Sequence, residues 1–258
     1  MKLSVVIPAH NEAGSITETL VGIHDELVKE AVPHEILVVN DHSRDDTGAL
    51  IDALRARIPT LRRVDNEGPG GFGMAVRCGL DHFSGDYVAI MMADLSDSPQ
   101  DLVRFYRKMQ EGYDCVFGSR WIRGGQVIDY PWLKRRINRV ANSIVQVCFR
   151  LKYNDCTNAF KLYRRGTIEG LKPFLAPHFN LTLELPLKAI VRGYSYTVLP
   201  NSWRNRKAGE SKLKIKEMGS RYFFILLYCL IEKHFSRGDF RKRDQPTPSP
   251  CARKEHNP

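Results

Sequence analysis

Residues 3–12 read LSVVIPAHNE, and residues 35–47 read EILVVNDHSRDDT. Each stretch opens with a short run rich in β-branched residues, which predicts a buried strand, and each closes with polar residues, which predict a loop. A helical stretch, Glu12–Lys29, separates the two strands. Strands that alternate with helices of this length predict a mostly parallel sheet covered by helices on both faces. The sequence therefore predicts an α/β fold.

The alternation continues to residue 117 and then changes. The first half adds strands at Leu61–Val64, Tyr87–Met92 and Asp114–Phe117 and helices at Asp45–Arg57, Phe72–Phe83 and Pro99–Gln110. The second half contributes helices at Pro131–Leu151 and Leu181–Val191, a strand at Tyr194–Leu199 and an apolar segment at Tyr222–Ile231. From Ser236 onward the chain is rich in Arg, Lys, Pro and Ser, which predicts a disordered basic tail.

Composition and charge limit the classes of possible partners. The 258 residues carry a formal charge of +10, which favours anionic partners such as nucleotides and phospholipid head groups. The six cysteines have no metal-binding spacing and indicate free thiols in a reducing, cytoplasmic compartment. Leu3–Ala9 is too short for a signal peptide, and Tyr222–Ile231 falls short of the roughly 20 apolar residues of a transmembrane helix.

Three predicted loops carry acidic residues at the ends of strands. Glu12, Asp41 and Asp94 each follow a strand, and in a parallel sheet such loops converge on one edge. A diphosphate beside Asp94 would need a divalent cation to offset charge repulsion. Other acids have structural alternatives: Asp45 or Asp46 is equally well explained as a helix cap, and Ser98 to Asp101 resembles a capping box. The edge with the three carboxylates is therefore the predicted site.

A glycine-rich stretch, Gly68–Gly73, matches the GxGxxG pattern of dinucleotide-binding proteins. It follows the third strand instead of the first, so we interpret it as a tight turn near a sugar diphosphate and not as an NAD site. Basic runs such as Lys134–Arg136 have no nucleic-acid-binding motif beside them, so no nucleic acid partner is predicted.

Taken together, several motifs resemble family 2 glycosyltransferases of the GT-A fold. The motifs are VVIPAHNE (5–12), VVNDHSRDDT (38–47), NEGPGGFGMA (66–75) and GDYVAIMMADLSDSP (85–99). The second half resembles the polyprenyl-phosphate, dolichol-phosphate mannose synthase-like branch, through VFGSR (116–120), DCTNAFKLYRR (155–165), FNLTLELPLKAIVRGY (179–194) and WRNRKAGESKL (203–213). The resemblance covers about residues 1–235 and rests on the order and spacing of the motifs.

The resemblance implies roles for individual residues. The residues implied to hold the nucleotide are Pro8, Ala9, Asn11, Glu12, Asp41, Ala93 and Asp94. Those implied to surround the acceptor and its phosphate are Arg120, Arg139, Asp155, Asn158, Glu184, Arg206, Ser211 and Lys212. Of all these, Asp94, Arg120, Arg206 and Lys212 are expected to be catalytic.

One position departs from the family pattern. The first acid of the expected Asp-x-Asp metal motif is Met92, and only the second, Asp94, is present. Mg²⁺ or Mn²⁺ would then bind through Asp94, the diphosphate oxygens and water, with Asp97 as a further candidate. We expect a weaker metal site than in the rest of the family.

The predicted function is inverting transfer of a sugar, mannose or another hexose, from a GDP- or UDP-sugar to a polyprenyl phosphate. The predicted location is the cytoplasmic face of a membrane, with an integral-membrane partner or a second copy as further candidates. The alternatives are transfer to a glycan hydroxyl, with Asp155 as the base, and a catalytically decayed scaffold; an NAD-linked oxidoreductase is a more distant alternative. The predicted domains are a catalytic unit at 1–215, divided at 118/119, an interfacial helix at 216–235 and a tail at 236–258.

Overall fold

A seven-stranded sheet with the strand order β3-β2-β1-β4-β7-β5-β8 forms the centre of the protein. The structure is a computed structural model that describes residues 1–205 and 215–242. The strands of this sheet are β1 (Leu3–Ala9), β2 (His34–Asn40), β3 (Leu61–Asp65), β4 (Tyr87–Ile90), β5 (Cys115–Ser119), β7 (Lys161–Arg164) and β8 (Tyr196–Pro200). Strand β7 runs antiparallel to both of its neighbours, whereas the other pairs are parallel. The predicted mostly parallel α/β sheet is therefore confirmed.

Helices cover both faces of the sheet. They are α1 (Ile16–Lys29), α2 (Thr47–Arg55), α3 (Phe72–His82), α4 (Pro99–Met109), α5 (Trp132–Phe149), α6 (Arg165–Leu171), α7 (Leu181–Val191) and α8 (Ile215–Phe235). Val5 and Ile7 of β1 belong to a core that includes α1 and α4, whereas Val6 belongs to a second core with α3 and α7. This alternation of buried residues is the two-sided burial expected of a central parallel strand.

Four elements were not predicted, and each has a physical reason. Strands β6 (Gln126–Ile128) and β9 (Ser202–Arg204) are three residues long and form a separate parallel pair. Helix α6 is only seven residues long, and the basic residues Lys161 and Arg164 hide the apolar pattern of a core strand in β7. Lys161 of β7 is nevertheless buried, because its ammonium group donates to the carbonyl oxygens of Cys156 (3.0 Å) and Thr182 (3.1 Å).

The C-terminal helix α8 is longer than the predicted apolar segment. A buried ion pair attaches it to the end of α7, with Arg192 Nε and Glu232 Oε1 separated by 2.7 Å. Residues 236–242 fall in the predicted disordered tail, yet Lys242 lies against the protein, 2.9 Å from a carboxylate oxygen of Asp114. Residues 243–258 of that tail lie outside the described residues.

Two predictions, on membrane-spanning segments and on the cysteines, can be compared with the described residues. None of the helices in 1–205 and 215–242 combines the length and the apolar character needed to cross a membrane. The five cysteines in these ranges are free thiols, and Cys251 lies outside them. The proposed domain boundaries stay predictions.

Candidate functional site

An open cavity of about 660 Å³ lies at the carboxyl ends of β1, β2 and β4. This volume is in the range of ligand-binding pockets, and the position is where parallel α/β sheets bind their ligands. All three predicted carboxylates, Glu12, Asp41 and Asp94, line the cavity. The convergence of the three loops follows from the parallel order of the strands.

The loops after β1 and β2 are held together by hydrogen bonds. Asn11 has a positive φ of 53°, and its side-chain oxygen accepts a hydrogen bond from the backbone N–H of Arg44 at 2.8 Å. The ring nitrogen Nδ1 of His10 contacts the carbonyl oxygen of Asp41 at 2.5 Å. Pro8 and Ala9 line the cavity, whereas Asn11 does not and instead joins the two loops. As a nucleotide-binding residue, Asn11 remains a prediction.

Asp41 connects the second loop to the glycine-rich loop. One of its carboxylate oxygens accepts a hydrogen bond from the side-chain amide of Asn66 (2.7 Å), and the other accepts one from the backbone N–H of Gly71 (2.8 Å). Only 6% of Asp41 is exposed. The carboxylate therefore shapes this end of the cavity and retains acceptor capacity for a ligand hydroxyl or base edge.

The glycine-rich loop packs against backbone on its other side. Gly71 has a φ of 139°, a backbone conformation that glycine adopts readily and that residues with a Cβ atom rarely adopt. A Cβ atom on Gly73 would lie 2.5 Å from the carbonyl carbon of Pro177 and 2.6 Å from the nitrogen of His178. Between them, Phe72 stacks on Phe179 with ring centroids 4.2 Å apart. These contacts hold the glycine-rich loop against the 177–178 backbone at the wall of the cavity, and its position near a sugar diphosphate stays a prediction.

The loop after β4 carries the candidate metal-binding residue. Asp94 is 8% exposed, and its Oδ1 accepts a hydrogen bond from the backbone N–H of Ser96 at 3.2 Å. The Ser96 hydroxyl is buried and has no hydrogen-bond partner among residues 1–205 and 215–242, and Ser96 lines the cavity beside Asp94 and Met92. Asp97, in contrast, is not a lining residue, and its Oδ2 accepts from the backbone N–H of Met92 at 3.0 Å. Burial raises the pKa of Asp97 to about 7.

A divalent cation at these residues would need additional ligands from a substrate. No group of three or more His, Cys, Asp and Glu side chains suited to a metal exists within 1–205 and 215–242. The Asp94 carboxylate at the cavity wall is a hard oxygen ligand, whereas the Ser96 hydroxyl beside it is buried. Mg²⁺ commonly binds through one or two carboxylates plus substrate phosphates, so this donor set fits a cation that a diphosphate helps to hold.

The acceptor half contains a buried ion pair. Arg120 donates from Nε (2.8 Å) and Nη2 (2.7 Å) to the two carboxylate oxygens of Asp155, and its backbone N–H donates to the same group at 3.0 Å. Burial acts to lower the pKa of Arg120, but the charge of Asp155 outweighs burial and raises it. Arg120 lines the cavity, whereas Asp155 is fully buried behind it.

Three other predicted acceptor residues do not line the cavity. Asn158 is buried and donates to the Gly118 carbonyl oxygen at 3.0 Å. Glu184 is fully buried and accepts from the backbone N–H of Ala176 at 2.7 Å. Arg139 is exposed and lies outside the cavity. Arg206, Ser211 and Lys212 lie outside the described residues. The binding roles of all these residues remain predictions.

Helix α5 contributes cavity residues that sequence reasoning missed. Lys134 and Asn138 line the cavity one helical turn apart, beside Pro131. The i, i+4 spacing of two polar residues directly after a proline was the available signal, since it places both on one helix face. Other lining residues absent from the prediction include Tyr130, Thr157, His178, Trp203, Arg221 and Tyr222.

The small β6–β9 sheet brings two aromatic residues to the cavity. Trp203 of β9 pairs with Asp97 in an isolated antiparallel bridge, and Tyr130 follows β6. The rings of Tyr130 and Trp203 meet edge to face with centroids 4.9 Å apart. The cavity thus combines acidic residues from the sheet loops, cations from Arg120 and α5, and an aromatic wall.

Comparison with known proteins adds independent findings. The sequence profile of Glycosyl transferase family 2 matches residues 4–171. A polyprenol monophosphomannose synthase of Mycolicibacterium smegmatis is 29% identical over 221 residues, which cover 81% of this chain and 80% of that protein. A dolichol-phosphate mannosyltransferase of Pyrococcus furiosus is 31% identical over 222 residues, which cover 84% of this chain and 60% of that protein.

Among solved structures, glucosyl-3-phosphoglycerate synthase from Mycobacterium tuberculosis, in complex with Mn²⁺, uridine diphosphate and phosphoglyceric acid, has a similar fold. Its TM-score is 0.67 at 20% sequence identity, with 89% of this chain and 78% of that chain covered. At this identity the similarity extends to the fold alone.

Proposed function

The chain belongs to glycosyl transferase family 2 and has the GT-A fold, and we propose that it transfers a hexose to the phosphate of a polyprenyl phosphate at a membrane surface. As a member of this family it is a nucleotide-sugar-dependent glycosyltransferase. The two relatives named for polyprenol and dolichol phosphate support the acceptor. The observation that carries the proposal is that cationic Arg120 and Lys134 line the same cavity as Asp94.

A phosphate acceptor matches the acceptor half of this cavity. A phosphate monoester is largely dianionic above a pKa near 6, so its oxygen can attack without a general base. A hydroxyl acceptor would need such a base, and the candidate, Asp155, is fully buried and bound to Arg120 at both oxygens. The arrangement therefore favours the phosphate over a glycan hydroxyl.

In the proposed reaction one acceptor phosphate oxygen forms a bond to C1 of the sugar. The bond from C1 to the diphosphate oxygen breaks, the nucleoside diphosphate leaves, and the configuration at C1 inverts. Arg120 and Lys134 would hold the acceptor phosphate, and Asp41 and Glu12 the nucleoside, so that the two anions approach in line. A divalent cation bound by Asp94 and the diphosphate oxygens would offset the negative charge of the leaving group.

The outer surface supports a membrane location for the acceptor. Helices α5 and α8 expose many large apolar side chains. Soluble proteins rarely expose so many on neighbouring positions. The exposed side chains are Trp132, Leu133, Ile137, Val140, Ile144 and Val147 on α5, and Phe223, Phe224, Leu227, Ile231 and Phe235 on α8. We propose that these faces rest on the cytoplasmic leaflet, where the sugar nucleotide is available.

The direct test is a panel of labelled GDP- and UDP-hexoses, each incubated with a short polyprenyl phosphate with and without EDTA. We expect transfer from one donor, sensitivity to EDTA and a product labile to mild acid. Transfer to a glycan hydroxyl in place of the lipid phosphate would contradict the proposal. A chain that becomes active only after Met92→Asp would instead indicate a decayed site.

Asp94→Ala tests the role of the carboxylate. Loss of a group that stabilises transition-state charge typically reduces kcat by about 10²–10³-fold, and we expect a reduction of at least this order. Asp25→Ala, at an exposed position of α1, is the matched control and should leave transfer unchanged. Full activity of Asp94→Ala would remove the proposed metal assignment.

A further inference from the structure

Trp121, directly after Arg120, has three guanidinium groups against its ring. The Cζ atoms of Arg120, Arg135 and Arg139 lie 5.5, 5.3 and 5.4 Å from the ring centroid, within the range of cation–π contacts. Arg120 is also paired with Asp155. The other two arginines extend from α5, outside the cavity, and the indole ring holds them together.

Arg135 and Arg139 lack an acidic partner in the part of the chain that the structure describes. No carboxylate among the described residues lies within 4.0 Å of either guanidinium, and α5 contains no acidic residue. Lys134, Arg135 and Arg136 also occupy the start of α5, the positive end of the helix dipole, where cations are unfavourable. Packing cations here costs stability, and an anionic ligand would offset that cost.

The surroundings of this cluster are apolar. On the same helix Leu133, Val140 and Val147 are 55%, 60% and 78% exposed. A shallow groove of about 530 Å³ begins at Arg139 and continues along Val140, Ile144 and Val147. A cluster of cations that leads into an apolar groove is complementary to a phospholipid, which has an anionic head and an acyl tail.

We propose that Trp121, Arg135 and Arg139 form a binding site for the phosphate of an anionic phospholipid, separate from the catalytic cavity. Guanidinium groups bind phosphate oxygens in a bidentate manner, and tryptophan favours the membrane interface. The site orients α5 on the leaflet so that the cavity mouth, lined by Lys134 and Asn138 of the same helix, faces the membrane. The proposal rests on the proposed function in that it defines the surface on which the acceptor is met.

A bilayer fits these features better than nucleic acid does. Proteins that bind single-stranded nucleic acid place cations along the phosphate backbone and stack aromatic rings on the bases. Here the indole ring is already covered by guanidinium groups, and the residues between the cations are exposed aliphatic side chains, as on interfacial helices.

Vesicle flotation tests the site without turnover. We compare vesicles of phosphatidylcholine with vesicles that contain about 30% phosphatidylglycerol, a composition chosen as roughly that of an anionic leaflet. We expect preferential binding to the anionic vesicles, weaker binding at high salt, and a partition coefficient about 5-fold lower for Arg135→Gln and about 30-fold lower for Arg135→Gln/Arg139→Gln. Arg55→Gln/Arg57→Gln, exposed at the end of α2, removes the same charge and should change binding little.

Two results would overturn the proposal: equal binding to both vesicles, or equal losses for the α5 and α2 double variants. Transfer to a short acceptor in detergent separates this proposal from the proposed function. Arg135→Gln should retain that activity, because Arg135 lies outside the cavity. Absence of transfer in the unmodified protein would contradict the proposed function while leaving the vesicle result to be judged on its own.

Discussion

Single residues at this site act through partners that lie far away in the sequence. Arg120 and Asp155 are 35 positions apart and form a bidentate pair with almost no exposure to solvent. Such a pair fixes the orientation of the guanidinium, because rotation would break two hydrogen bonds at once. Arg120 can therefore present one edge to the cavity while Asp155 holds the other.

We predict that Asp155→Asn destabilises the protein by about 3–5 kcal/mol, since it leaves a buried guanidinium without a counter-charge. The free energy of unfolding in urea measures the loss. Arg120→Met/Asp155→Leu should recover much of the stability, because apolar replacement of both partners is often neutral, yet transfer should remain low. If the double variant transferred sugar at the wild-type rate, Arg120 would have no role in the reaction.

In the candidate metal-binding loop, only part of the arrangement could be predicted from the sequence. Met92 in place of the expected acid was visible in the sequence, as was Asp94. The buried position of Ser96 beside the cavity was not, because it depends on the turn in which Asp94 accepts its backbone N–H. Asp97, a candidate by spacing, instead supports the backbone of Met92.

At the scale of elements, the glycine-rich loop and α3 depend on close backbone packing. Gly73, in the first turn of α3, lies against the Pro177–His178 backbone, which cannot give way as a flexible side chain would. Gly22, inside α1, has open space on the side where a Cβ atom would project, with no neighbouring atom within 4 Å of that position. The two helical glycines therefore differ in the space that is available to a Cβ atom.

We predict opposite effects for alanine at these two positions. Gly73→Ala should destabilise the protein by about 1–3 kcal/mol through overpacking and raise the KM for the sugar nucleotide, since the loop that contacts Asp41 must shift. Gly22→Ala should stabilise it by roughly 1 kcal/mol through helix propensity. Thermal unfolding and donor KM measure both, and a Gly73→Ala protein as stable as Gly22→Ala would refute the packing argument.

At the scale of the whole molecule, Glu35 ties together the edge of the sheet opposite the cavity. Its carboxylate accepts hydrogen bonds from the hydroxyl of Ser4 (2.6 Å), from the backbone N–H (2.6 Å) and hydroxyl (2.7 Å) of Ser84, and from Arg62 (3.0 Å). Burial acts to raise the pKa of Glu35, but these hydrogen bonds outweigh it and lower the pKa from 4.5 to about 2.

This shift predicts sensitivity to acid. Because the pKa is lower in the folded state, Glu35 stabilises the protein above pH 4.5, by at most about 3 kcal/mol, and the contribution disappears as the pH falls toward 2. Glu35→Gln should therefore be less stable than the wild type at pH 7, with a difference that narrows between pH 4.5 and about 2. Urea unfolding at several pH values measures this difference, and one that is constant with pH would contradict the prediction.

The sequence by itself determined the parallel strands, the loops at their carboxyl ends and the family. These features depend on local patterns, such as the β-branched run before Pro8 and the run before Asp94, and strand direction then brings the loops together. Helix α5 was also predicted, but the face that lines the cavity was not. The periodicity of apolar residues predicts a helix without indicating what each of its faces contacts.

Only the tertiary structure decided which residues meet. It inserted β7 antiparallel between β4 and β5, paired Arg120 with Asp155, turned Lys134 and Asn138 toward the cavity and directed Arg139 away from it. The physical reason is that each of these contacts joins elements far apart along the chain. These contacts are stabilised by burial and by charge pairing in the folded state. Neither of these produces a periodic pattern of residues in the sequence.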